Sequence, residues 1–87
     1  MHAVVVDVEI HDREAAMKGL EEGVLPMVKG APGFVAGYWI SLADNHGTSV
    51  VVFESKEQSL AGAPKEGDNA PGVTFTRVVD GEVLASA

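Results

Sequence analysis

The sequence predicts an α+β fold of order β-α-β-β-α-β, with an antiparallel sheet and both helices packed on one of its faces. Three observations point there. Residues 2–10 alternate with period two, and residues 13–29 switch to apolar steps of three and four. Ala31, Pro32, Gly33 and Phe34 then end that helix and turn into an aromatic strand, after which the plan repeats with a shorter helix.

In the first strand, His2 to Ile10, Val4, Val6, Val8 and Ile10 share one face, while Ala3, Val5, Asp7 and Glu9 share the other. Asp12 stands at a helix N-cap, and Glu14 falls in the first turn, where the helix dipole favours an acid. Ala16, Leu20, Val24, Met27 and Val28 form the apolar stripe of the helix that starts near Arg13. Pro26 lacks an N–H and clashes with the carbonyl four residues earlier, so a kink or a tightened final stretch is expected. Gly30 and Pro32 end the helix.

Phe34 to Leu42 reads as the second strand. Simple alternation puts Phe34, Ala36, Tyr38, Ile40 and Leu42 on one face, and Val35, Gly37, Trp39 and Ser41 on the other. Asp44, Asn45, His46 and Gly47 read as a hairpin loop, with Thr48 to Glu54 returning as the third strand. Ser55, with Gln58 three positions on, has the form of a capping box opening a second helix through Ser59, Leu60 and Ala61. Gly62 and Pro64 keep it short, and the breaker-rich residues 64–72 read as a loop. Val73 to Val79 is the last main strand. Asp80 and Gly81 suit either a hairpin turn or, as the preferred reading, a bulge leading into a short edge segment over Glu82 to Ala85. Two split β-α-β halves of this kind describe a ferredoxin-like sandwich.

An 87-residue chain is read as a single domain, residues 1–87; alone it buries only about 63% of the surface its unfolded form exposes. With 46% hydrophobic residues it must nevertheless pack a core. There is no cysteine, so disulfides and thiolate metal sites are excluded, and oligomerisation is the remaining staple. The formal net charge of −7 and the scattered basic residues Arg13, Lys18, Lys29, Lys56, Lys65 and Arg77 argue against a nucleic-acid partner. Asp7 and Glu9 interrupt the valine-rich start and no basic segment precedes it, so neither a signal peptide nor a membrane partner is expected, and the location expected is cytoplasmic. One pair of helices covers one sheet face. Since both faces of the second strand are apolar, the other face calls for a homodimer, with Val5, Val35, Gly37 and Trp39 as its interface candidates.

Pro32, Gly33 and Phe34 leading into the second strand, with Val51, Val52, Phe53, Glu54 and Ser55 before the second helix, resemble the dimeric α/β-barrel superfamily over essentially the whole chain. Within it the chain resembles the antibiotic-biosynthesis monooxygenase-like group. The resemblance implies two ferredoxin-like sheets paired face to face, and a cofactor-independent monooxygenase acting on a small aromatic or polyketide-like substrate. Its quinone-forming monooxygenases and its heme degraders usually carry a Trp near the end of the third strand and often a His on the second helix. Here Phe53 stands at the strand end and no His lies between Glu54 and Gly72. With no cysteine and with His2, His11 and His46 scattered, no heme, flavin or other cofactor and no metal site are expected.

Strand parity places the ligand pocket between helix and sheet, with Val6, Val8, Leu20, Val24, Phe34, Tyr38 and Ile40 as candidates for its wall. Tyr38 is the candidate catalytic residue, as a phenol donor orienting a small apolar or aromatic molecule; its alternative role is a core aromatic with a wet hydroxyl. Asp7 and Glu9 read as rim or interface carboxylates, not an acid–base pair. No glycine pattern matches a phosphate-binding loop, and no serine carries a nucleophile signature. The non-enzymatic alternative is a dimeric module that binds a metabolite or a protein.

Overall fold

The computed structural model describes all residues, Met1–Ala87. The strands are β1 (His2–Ile10), β2 (Phe34–Ser41), β3 (His46–Phe53), β4 (Asn69–Ala70) and β5 (Val73–Glu82). The helices are α1 (Arg13–Gly19) and α2 (Leu25–Lys29), joined by a π-helical segment over Leu20–Val24, and α3 (Lys56–Ala61). The strands form one sheet of order β2-β3-β1-β5-β4 in which every neighbouring pair is antiparallel. This is an α+β arrangement compatible with the expected ferredoxin-like sandwich.

The helix starts are set by local chemistry. Asp12 accepts a hydrogen bond from the Ala15 N–H at 3.0 Å, and Ser55 accepts one from the Gln58 N–H at 3.2 Å. The Gln58 side chain does not return the bond as a capping box would. It packs over Gly33, whose backbone sits at φ +79, and its Oε1 is buried without a partner. The expected kink at Pro26 takes the form of the π segment, in which the Leu25 N–H reaches back to the Leu20 carbonyl. Widening the turn just before the proline accommodates its ring and its missing donor.

Three sequence expectations need correcting. The β2–β3 turn is tighter than a four-residue loop: Asp44 and Asn45 both take positive φ, as a type I′ turn requires, and β3 begins at His46 with Gly47 buried inside it. The Asp80–Gly81 pair holds no bulge, because β5 runs through it to Glu82. The shift in the β1–β5 pairing lies instead between Asp7 and Val8, where Thr76 is the extra residue. Finally, the segment read as a loop contains β4, joined to β5 by a Pro71–Gly72 turn with Gly72 at φ +76.

That turn is pressed against the start of α1. The Gly72 carbonyl accepts from the N–H groups of His11 at 2.7 Å and Asp12 at 3.2 Å, so the hairpin ties the β1–α1 junction to the far edge of the sheet. The buried apolar side chains are few: Ala3, Val4, Val6 and Phe53. They lie on central β1 and adjacent β3, with Phe34 packed edge-on against Phe53 at 6.2 Å between ring centres.

The first and last strands are also tied by His2, whose Nε2 lies 2.6 Å from an Asp80 carboxylate oxygen. The hydrogen bond from His2, aided by its charge and that of Lys56 against an opposing desolvation penalty, holds the Asp80 carboxyl below its ordinary value. A depressed folded-state pKa stabilises above the unfolded value, and the contribution is lost as pH falls through the folded value. Acid titration of unfolding should therefore show stability falling below the ordinary carboxylate range. Asp80→Asn should flatten that acid limb, and a limb unchanged in Asp80→Asn would remove this role from the pair.

Candidate functional site

The helices lie on the sheet face that carries Val4, Val6 and Val8, and between the two layers is a cleft of about 370 Å³. Its floor is Val4, Val6, Val8 and Ile10 from β1, with Gly47, Ser49, Val51 and Phe53 from β3. Ala16, Met17, Leu20, Val24, Met27 and Val28 supply the helical wall, and Ala63, Pro64, Pro71, Val73 and Phe75 close the far side. The sequence builds this wall simply: the three-and-four spacing of the helix and the period of β1 each turn one apolar face inward.

The second strand does not follow its expected parity. Phe34 pairs with Phe53, but Ala36 pairs with Val52, so Val35 is an extra residue in the β2–β3 ladder. A residue inserted in one strand reverses the faces of every side chain beyond it. Trp39 pairs with Ser49 and lines the cleft, with its six-membered ring lying over Gly37. A Cβ on Gly37 would come within 2.7 Å of the indole, so glycine is what lets the ring lie flat. Gly37 and Trp39 thus belong to the helix side rather than the bare face where alternation put them.

Tyr38 moves the other way. It pairs with Val50, which pairs with Val5, and it stands 66% exposed on the face away from the helices. It does not line the cleft, which removes the geometric basis for a phenol donor there. Ile40 pairs with Thr48 opposite Asp7 on that same open face; where it borders the cleft, its carbonyl oxygen approaches Gly47. Of the other pocket candidates, Val6, Val8, Leu20 and Val24 line the cleft, while Phe34 sits behind Phe53 and does not. Of the interface candidates, Val5 is on the open face and Val35 is the bulge residue, 45% exposed.

The open face combines an apolar half with a polar half. Val5, Tyr38, Val50, Val52 and Val79 share it with Asp7, which accepts from the Thr48 hydroxyl at 2.9 Å and lies 3.5 Å from the Arg77 guanidinium. These partners satisfy Asp7 within the chain, as a structural carboxylate requires.

The cleft has few polar side chains: Arg13, Ser41, Ser49, Ser59 and the Trp39 indole. The Ser59 hydroxyl donates to the Lys56 carbonyl at 2.7 Å, and Arg13 donates to the Ser41 hydroxyl at 2.8 Å. Neither Arg13 nor Ser41 belongs to a sequence motif that would single it out. Their meeting depends on the β2 bulge, which turns Ser41 to the helix side. A second, smaller cavity is bounded by Ala31, Pro32, Phe53, Gln58, Ala61 and Gly62. No three of the His, Asp and Glu side chains converge to hold a metal ion, and no helix is long and apolar enough to cross a membrane. In comparisons with protein-family models, curated proteins and solved structures, the chain matches none of them.

Proposed function

We propose that the chain is a small-molecule-binding protein that holds an apolar ligand in its helix–sheet cleft and works as a homodimer of ferredoxin-like, dimeric α/β-barrel type. The cleft carries this reading. Its volume of about 370 Å³ falls in the usual range for ligand sites, its wall is mostly aliphatic, and its few polar groups include the Arg13–Ser41 pair and Ser49 of the floor.

Two features support the homodimer. The accessible surface of 5693 Å² exceeds the roughly 4,900 Å² expected for a folded chain of 9.1 kDa. The excess is about what one partner contributes to a standard interface, although the extended C-terminal tail, with Leu84 94% exposed, accounts for part of it. The open face also carries the partly or largely exposed side chains Tyr38, Ile40 and Val79, an apolar patch that pairing of two sheets would bury.

Catalysis of the cofactor-independent monooxygenase kind is the extension that the family resemblance implies. No Asp, Glu, His or Tyr lines the cleft. A substrate activating dioxygen there would have to enter as its own anion, with the protein supplying a dry wall and a cation. The same lining favours the non-enzymatic alternative, a binding module, because it offers no side chain to carry a proton from substrate. Native mass spectrometry of protein purified without denaturation tests the proposal. The expected species is a dimer, at twice the 9.1 kDa chain mass, retaining a small molecule in each copy. A bare monomer at micromolar concentration would overturn both parts, and a liganded monomer would overturn the homodimer alone.

A further inference from the structure

Among six basic and thirteen acidic side chains, the cleft takes one cation and no acid. That cation, Arg13, makes no salt bridge: its one partner is the neutral Ser41 hydroxyl at 2.8 Å. Its sequence neighbour Asp12 is committed to capping α1 through the Ala15 N–H. An arginine at the mouth of an aliphatic cleft, steadied by one hydroxyl and free of carboxylate partners, keeps its remaining N–H donors for an incoming anion. The planar guanidinium matches a carboxylate in two-point geometry.

We propose that the ligand of this cleft is an apolar monocarboxylate, its acid group at the mouth on Arg13 and Ser41 and its apolar body along Trp39, Leu20 and the valines of β1. This rests on the reading of the cleft as the ligand site and adds the chemical class of what fills it. The chain's net charge of −7 repels anions in general, so Arg13 also acts as a selectivity element. A dianion meets one cation and a surplus of acid. A neutral molecule of the same shape leaves the guanidinium without its partner.

Decanoate and its neutral analogue decanamide make the test, read by calorimetry and by the emission of Trp39, the single tryptophan. Decanoate should bind about ten-fold more tightly than decanamide, as one charge-assisted contact at an accessible site warrants. The preference should shrink in about 1 M salt, where the screening length falls to about 3 Å. Arg13→Gln, at an exposed position outside the core, should weaken decanoate about ten-fold more than it weakens decanamide, and so erase the preference. Equal binding of the two ligands, or a decanoate preference that survives in Arg13→Gln, would overturn the inference while keeping the cleft as a ligand site. If neither ligand binds, the cleft reading and the inference fall together.

Discussion

Replacing Gly72 with alanine is expected to destabilise the chain by about 2–4 kcal/mol, adding the strain of a left-handed backbone to the cost of overpacking. The residue sits at φ +76, and a Cβ there would overlap the Asp12 carbonyl oxygen and crowd the Ala16 backbone. Neither neighbour is the flexible end of a side chain, so the turn must move. Moving it breaks the hydrogen bonds from His11 and Asp12 to the Gly72 carbonyl. Thermal unfolding should shift down by roughly 10–25 °C for a domain of this size. Gly23→Ala is the control: it lies in the π segment with open space beside it, and alanine there should be neutral or stabilising. Similar melting temperatures for Gly72→Ala and wild type would mean that the Pro71–Gly72 turn does not brace the α1 junction.

The second large effect separates two adjacent residues of β2. In the proposed dimer Tyr38 is buried between sheets, so Tyr38→Asp would place an unpaired carboxylate there and weaken association by about 3–5 kcal/mol. That corresponds to two or more orders of magnitude in the dimer dissociation constant, while the separated chain should stay folded, because Tyr38 is 66% exposed within one copy. Trp39→Asp should do the reverse. It removes the indole from the cleft wall and costs folding stability on the scale of about 3–5 kcal/mol for loss of a packed aromatic. Light scattering paired with thermal melts checks both. Loss of the dimer in Trp39→Asp with an unchanged melt, alongside an intact dimer in Tyr38→Asp, would restore simple alternation and refute the bulge.

That pair of residues also marks how far the sequence can be read. Strand β1, the Asp12 and Ser55 caps, the apolar helix stripe and the order of the main elements are local properties, and period and capping chemistry report them directly. Val6 and Val8 line the cleft because nothing interrupts the alternation of β1 before them, and Leu20 and Val24, at the two ends of the π segment, still face it. The Val35 bulge is not local. It settles the register between β2 and β3, and both faces of β2 are apolar enough to suit either parity. One clue was present, a glycine two positions before the single tryptophan, since a flat-lying indole needs a neighbour without a side chain. Strand β4 was hidden for a different reason: Pro71 and Gly72 are loop residues by composition, and only the register of Ala70 with Val73 reveals them as a hairpin turn. Arg13 reaches the cleft through tertiary placement alone.

The ligand site proposed for this chain is the cleft between the helices and the sheet, with Trp39 in its wall. Backbone amide and indole chemical-shift mapping during titration with decanoate tests this most directly. The expected shifts cluster at Leu20, Gly47, Ser49, Ala63 and the Trp39 indole N–H, all on the cleft side. Shifts confined to Tyr38, Val50, Val52 and Val79 would put the binding surface on the open face and contradict its assignment to the cleft.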